Sequence, residues 1–388
     1  MADTQRTVIN YLTQEEIPVK MVDIGSSLYA DAVAAQLRDE NGLAYGVKHV
    51  SNKLRTVTTP YLFAIAENEV AGHEPLRVLG YNGAVGTTAE DLWSVGGTYV
   101  PPVAAQQMEV VSSSAGDEDA GSVIKSGTSD SITEGATGIL TLTDAAVDFT
   151  AATAVEVGDC LLLDGDVILA IVLTVATNVL TAQTYNDGFA TSAQAYRVVD
   201  ANLPVASTGI KVCHVHMLVG DYVESDEFIV TDGNSAVNTA ATDIIRVNGI
   251  HGVFVGSANC AIGTVSIRNL TDHTTVYRQI AIGQNTEECC FWTVPAGKTA
   301  YLERWQLGEG QAANNKFLEA RLRVTSDHHG HYTPNMWNTK DIALIQDGCV
   351  LPVFGVPIRV PGRADLKITV LCPENGARAA GHIEGWVE

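Results

Sequence analysis

The chain has 388 residues, of which 46% are hydrophobic and 18% charged, and it carries a formal net charge of −22. That balance belongs to a folded protein with room for two or three cores, not to a disordered one. It excludes a nucleic-acid backbone as partner, which needs a Lys/Arg surface, and fits a self-repelling solvated surface or docking onto a basic partner.

No apolar run reaches the roughly eighteen residues of a spanning helix, so no membrane partner is expected. Met1-Ala2-Asp3-Thr4-Gln5 lacks a basic region followed by an apolar core, so synthesis in a cytoplasm is expected. The seven cysteines include no C-x-x-C pair and mostly sit in apolar, strand-like runs such as Val212-Cys213-His214. Buried free thiols are the expectation, because free cysteine packs as a small hydrophobe.

In chain order, Asp31 to Gly42 is the one stretch with helical character, rich in helix formers and stopped by Gly42. From Tyr45 the chain is polar and irregular. Tyr61 to Tyr99 is long, Gly-rich and short of strand alternation, which makes it a poor core candidate and suits an arm ordered against a neighbour. A strand is expected at Gln107 to Val111, followed by the polar loop Ser112 to Gly121. Between Glu134 and Asp200, short strands alternate with turns such as Asp164-Gly165 and Thr177-Asn178, the pattern of a small β-barrel or sandwich. From Leu203 onward, strand candidates follow one another with Gly and Asn between them. In Phe317 to Thr325, Leu318, Ala320, Leu322 and Val324 face one way and Glu319, Arg321 and Arg323 the other. The last strand expected is Asp365 to Leu371.

The fold class expected is therefore mainly β: an antiparallel sandwich, for which a jelly-roll is one topology open to it, with an inserted small barrel and an extended N-terminal arm. The expected domains are the arm with one short helix (1–78), the main sandwich (79–133 and 201–388) and the inserted barrel (134–200).

Thr293-Val294-Pro295-Ala296-Gly297-Lys298-Thr299-Ala300-Tyr301-Leu302-Glu303-Arg304 reads as strand, tight turn, strand. Gly297-Lys298-Thr299 is not a phosphate loop, because Trp292 stands where that loop needs glycine and strand formers follow instead of a helix. The stretch resembles a hairpin that recurs in virion structural proteins of tailed bacteriophages. Pro60-Tyr61-Leu62-Phe63-Ala64-Ile65-Ala66-Glu67 with Gly72-His73, then Gly80-Tyr81-Asn82-Gly83 and Glu90-Asp91-Leu92-Trp93, resembles the N-terminal part of such proteins. Leu142-Thr143-Asp144, Asp148-Phe149-Thr150-Ala151, Val157-Gly158-Asp159 and Tyr196-Arg197-Val198 resemble a small β module embedded in them. The resemblance covers roughly Pro60 to Val111, Thr141 to Val199 and Val294 to Arg304.

It implies a virion structural protein and no enzyme. The first expectation is a capsid decoration or cement protein, made in the host cytoplasm, which binds the outer shell as a homotrimer. Its partners would be the major capsid protein and further copies of itself. The alternative is a tail or head fibre protein binding a host-surface glycan. Tyr61, Leu62, Phe63, His73, Trp93 and Trp337 are the candidate interface residues.

No metal and no cofactor are expected. Asp327-His328-His329-Gly330-His331 is the densest run of possible ligands, but it falls in a polar loop and reads as solvated or as a subunit contact. His214 and His216 flank Val215 and share one strand face, a geometry that can bind metal or pack in a core. Asp117-Glu118-Asp119 and Asp164-Gly165-Asp166 lack the spacing of a calcium loop and read as acidic turns. No nucleophile motif is present.

Overall fold

A computed structural model describes residues 5–9, 16–20, 46–50, 53–57, 61–67 and 69–388, except 119–122, 135–137, 152, 164–167, 186–192, 203–206, 311–316, 347 and 374–375. The chain divides into two compact units, Met1–Pro75 and Leu76–Glu388. In the first unit, β1 (Gln5–Ile9) pairs with β2 (Glu16–Lys20) and β3 (Gly46–Val50) with β4 (Lys53–Val57), both antiparallel. A short helix, α1 (Tyr61–Ala66), follows, with Ile65 buried and Phe63 exposed. The helix predicted over Asp31 to Gly42 lies outside the described residues, as does the turn at Asp164-Gly165.

The rest of the chain is a set of nested β structures, entered and left in order. It opens with β5 (Glu74–Val85) and β6 (Glu90–Asp91). It then leaves for a second sandwich, beginning with β7 (Met108–Ser112). From there it leaves again for a seven-stranded sheet made of β8 (Val123–Thr128), β9 (Ser131–Glu134), β10 (Ile139–Thr143), β11 (Cys160–Leu163), β12 (Ile168–Ala176), β13 (Val179–Thr184) and β14 (Ala195–Val199). The chain returns to the second sandwich with β15 (Ile210–Val219), β16 (Val223–Val230), β17 (Val237–Asn238), β18 (Ile244–Val255), β19 (Val265–Asn269) and β20 (Val276–Ile280). It closes with β21 (Phe291–Thr293), β22 (Thr299–Gly310), β23 (Leu318–Val324), β24 (Asn338–Ile345), β25 (Cys349–Val350), β26 (Val353–Pro361), β27 (Asp365–Leu371) and β28 (Ala377–Val387).

The outermost layer is a jelly-roll. One sheet runs β26-β22-β28-β5, with β25 also on β22; the other runs β21-β27-β23-β24, with β6 also on β27. Glu90 and Asp91 pair with Val370 and Thr369, Leu92 N–H donates to Ile368, and Phe291, Trp292 and Thr293 pair with Lys367, Leu366 and Asp365. β6 and β21 therefore lie end to end against β27 and form one strand interrupted in sequence. Counting that strand once, and β25 with β26 as one strand on β22, eight successive strands appear in the two sheets in the orders 6-3-8-1 and 2-7-4-5, which is the jelly-roll order. Leu302, Trp305 and Leu307 of one sheet meet Leu318, Leu322, Val324, Leu366 and Ile368 of the other in a single core. Residues 93–290 are spliced into the interrupted strand, and the Trp93–Cys289 bridge closes the splice.

The second sandwich packs β16-β15-β18 on β17-β7-β19-β20, with Met108, Cys213, Val215, Met217, Ile250, Val265 and Ile267 inside. Residues expected in one sandwich thus form two, each with its own core. The seven-stranded sheet has the order β8-β14-β11-β12-β13-β10-β9 and curls into a half-barrel around Leu140, Leu142, Phe149, Leu161, Leu180 and Val198. Its two edge strands, β8 and β9, are joined by only Ser129-Asp130, so the curl follows from connectivity.

Asp117 holds the point where the chain leaves for the half-barrel. Fully buried, it accepts hydrogen bonds from Ser112 Oγ (2.7 Å) and from the backbone N–H groups of Ile210 (2.8 Å), Ile262 (3.1 Å) and Gly263 (2.7 Å). Replacing Asp117 with Asn removes the charge and part of the acceptor capacity. The expected cost is about 2–3 kcal/mol in urea unfolding, with no change in the far-UV spectrum of the folded state.

Three expectations are corrected. The Pro295–Lys298 turn exists, with Gly297 at φ +80° and Lys298 N–H donating to Pro295 (3.2 Å), but its flanking strands do not pair with each other. β21 lies on β27 and β22 on β28, so the turn crosses from one jelly-roll sheet to the other. Nor is Tyr61 to Tyr99 a poor core candidate: Leu76, Val78, Val85, Leu92, Trp93 and Tyr99 are all buried. β5 alternates, with Gly80 and Asn82 holding inward positions that read as polar or flexible in sequence. Finally, the free thiols are not uniformly buried, because Cys349 is exposed on an edge strand.

Candidate metal centre

The outer face of β16-β15-β18 is covered in part by the half-barrel. There Val212, Phe228 and Phe254 join Cys160, Leu162, Leu169 and Val199 in a shared core. The same face continues past this core as a cluster of imidazoles. His214 and His216 point outward from β15, since Cys213, Val215 and Met217 point into the sandwich. The register sets His214 opposite His251 of β18 and opposite Phe228 of β16, and sets His216 opposite Asp226 of β16.

The three rings pack at centroid separations of 4.1 Å (His214–His216), 5.0 Å (His214–His251) and 5.1 Å (His216–His251). One ring nitrogen from each lies within 4.8 Å of the other two. Asp226 Oδ1 sits 2.6 Å from His216 Nδ1 and 3.5 Å from His214 Nε2. Tyr185 of the half-barrel reaches over, its hydroxyl 3.4 Å from His251 Nε2 and its ring edge-on to His214 and Phe228. His214 is buried, stacks on Phe228 at 4.3 Å, and leaves its Nδ1 with no hydrogen-bond partner.

The electrostatics follow from this crowding. Burial, with His216 and His214 alongside, pushes His251 down to about 4, so its imidazole is neutral at pH 7. Burial alone would raise the Asp226 carboxyl, but the hydrogen bonds from His214 and His216 outweigh it and hold the group well below the usual carboxylate range. Glu287, whose Oε2 lies 3.2 Å from Arg278 Nε, is raised by burial to about 7.

The sequence-predicted candidates are scattered. Asp327 caps its own loop, accepting from the backbone N–H groups of His329 (2.9 Å) and His331 (2.8 Å) and lying 2.9 Å from His331 Nδ1. That run is a turn with exposed His328, His329 and His331, and the His328 and His329 rings lie tilted against each other at 3.9 Å. Asp117 is a buried structural acceptor, not an acidic surface turn. Among the interface candidates, Phe63 is 63% exposed, while His73 is half-buried with its Nδ1 near the Ala71 carbonyl. The side chains of Tyr61 and Leu62 lie outside the described residues. Trp93 is corrected from contact residue to core: it is buried edge-on against Tyr99 at 5.3 Å, and its Nε1 donates to Gly97 O (3.1 Å). Trp337 is half-buried, packed on Phe291 and under the Lys367 ammonium at 4.4 Å, so it serves the splice more than an outside partner.

His214-x-His216 was legible as a same-face pair. His251 and Asp226 were not, because only strand register brings them alongside. No protein family, curated protein or solved structure matches the chain.

Proposed function

We propose that the chain is a structural protein of a tailed-phage particle: a decoration or cement protein that self-associates as a trimer and binds the outer face of the capsid shell. One observation carries the self-association. At one margin of the jelly-roll, the edge strand β24 turns Ile342 and Leu344 outward at 55% and 66% exposure, while Ala343 and Ile345 face the core. Next to it, Leu351 and the β26 residues Val353 and Val356 are 49%, 60% and 82% exposed. Single exposed apolar residues are ordinary; a row along two edges that pair with no further strand among the described residues supports a contact surface.

The nested architecture supports the same reading. A jelly-roll supplies the margin, and the chain spliced into one of its other strands carries a second sandwich and a half-barrel. The charge of −22 suits docking onto a basic shell surface. Binding only the assembled shell would stabilise it by mass action.

The native mass of the full chain tests this reading. A trimer is the expected result, and the Leu344→Lys/Val356→Lys double variant is expected to run as a monomer with an unchanged far-UV spectrum. Added to shells stripped of the protein, the wild type is expected to bind and to raise their disruption temperature. A monomer at all concentrations that leaves stripped shells unchanged sinks the proposal.

A further inference from the structure

We propose that His214, His216 and His251 bind one divalent transition-metal ion, zinc(II) foremost, as a structural clamp across β15 and β18 at the seam with the half-barrel. The inference stands apart from the virion reading, since it concerns the isolated chain.

The donor set is the first support. Three imidazoles are a set suited to zinc and its neighbours in the first transition row, and hard cations such as magnesium or calcium prefer oxygen. In a tetrahedral zinc site, with metal–nitrogen bonds of about 2.0–2.1 Å, ligand nitrogens stand about 3.3 Å apart. Nitrogens already within 4.8 Å reach that spacing by small ring rotations. The ligands also sit on paired strands, not on a loop, so the backbone holds them in place.

His214 supplies the second support. A buried ring nitrogen without a partner is costly in a folded protein, and a metal ion is an acceptor for its lone pair. His214 Nδ1 is such an atom, on the one buried histidine of the three.

Asp226 supplies the third. A carboxylate on the far nitrogen of a ligating histidine fixes its tautomer and raises its basicity, and Asp226 stands 2.6 Å from His216 Nδ1 in that relation. The pairing leaves Nε2 of His216 to carry the lone pair. Asp226 also offsets charge that the ion brings. The His216 side chain is 43% exposed, which gives an entry path from solvent. Three histidines leave a fourth position for water. Tyr185, hydrogen-bonded at His251, would couple occupancy to the position of the half-barrel.

The test uses the full chain, stripped with chelator and titrated with zinc(II) by calorimetry and with cobalt(II) by visible absorption. The expected result is one ion per chain with a tetrahedral cobalt spectrum. His251→Ala and His216→Ala are expected to abolish both signals, and Asp226→Asn to weaken binding about 10–100-fold. His329→Ala/His331→Ala, which removes the exposed decoy cluster, is expected to leave binding unchanged. Far-UV spectra establish that each variant is folded. If a variant unfolds, the wild-type cobalt spectrum decides by itself, because a six-coordinate, oxygen-rich signature contradicts a three-imidazole site. No stoichiometric zinc binding by the wild type, binding retained in folded His251→Ala, or binding lost in His329→Ala/His331→Ala would each overturn the proposal.

Discussion

Replacing Arg246 with Ala is expected to destabilise the protein by about 3–5 kcal/mol, since it strands a buried carboxylate. Arg246 of β18 belongs to the second sandwich, and Asp365 of β27 to the jelly-roll. The guanidinium meets the carboxylate through two nitrogens at 3.0 and 3.2 Å, and both side chains are under a tenth exposed. Its Nη1 donates to the carbonyls of Pro102 (3.3 Å) and Ile245 (2.8 Å), and Tyr222 lies against it. Asp365 Oδ1 also accepts from Thr293 Oγ1 at 2.6 Å. Loss of the arginine leaves that carboxylate buried with only a hydroxyl and no cation. The check is chemical denaturation of Arg246→Ala, Asp365→Ala and an Arg246→Met/Asp365→Leu double variant. The double variant is expected to be less destabilised than either single one, because it removes the unpaired charge along with its partner. Equal or additive losses would mean the pair contributes as packing alone.

The effect is expected to exceed that of a surface ion pair because the site joins two sandwiches at the splice. Arg278 works beside it. Wholly buried, it donates to Val247 O (2.9 Å), Phe291 O (2.5 Å) and Cys289 O (3.4 Å), with the rings of Tyr99 and Phe291 against it. Of these two arginines from the inserted sandwich, Arg278 thus binds the backbone of the segment through which the chain re-enters the jelly-roll, and Arg246 binds a side chain of β27, the strand that segment pairs with. Uncoupled unfolding of the two sandwiches in Arg246→Ala, seen as a second transition, would be the direct sign of this role.

Trp305→Ala is the second large effect, again about 3–5 kcal/mol. Trp305 is the largest fully buried side chain among the described residues, on β22 in the jelly-roll core, and its Nε1 donates to Asp341 Oδ2 at 2.9 Å. Truncation opens a cavity between the two sheets and removes the Asp341 partner together. Trp305→Phe keeps most of the volume and loses only the hydrogen bond, so it is expected to cost about 1–2 kcal/mol. Thermal unfolding of the pair separates the two contributions. A Phe variant as damaged as the Ala variant would place most of the energy in the bond to Asp341.

Part of this architecture was plain from residue order. Leu318, Ala320, Leu322 and Val324 alternate with charged neighbours, and all four are buried as that pattern requires. Strand chemistry was also clear at Ile210–Val219 and Asp365–Leu371. The strands missed include β1 to β4, β6, β8, β9, β17 and β25, and above all the long β5 and β28, neighbours in one jelly-roll sheet. In β28 the inward positions include Ala377, Ala379 and Ile383, and glycines stand at Gly381 and Gly385, so hydrophobic alternation is faint. Gly385 is needed for contact, not flexibility: a Cβ there would fall 1.9 Å from the Tyr301 carbonyl oxygen. A residue chosen because a neighbouring backbone comes close leaves no periodic signal.

The candidate metal centre divides the same way. His214 and His216 share a face because side chains alternate along a strand, and two residues of spacing suffice to say so. Nothing in the order of residues brings His251 to His214, or Asp226 to His216. By itself, the sequence determined that the chain is mainly β, acidic, thiol-bearing and built of short antiparallel strands, because local alternation and turn chemistry act over a few residues. Only the tertiary structure decided which strands are neighbours, that one jelly-roll strand is cut to admit two further β structures, and that three histidines meet. Those are choices of register and crossover, fixed by burial of whole faces against one another.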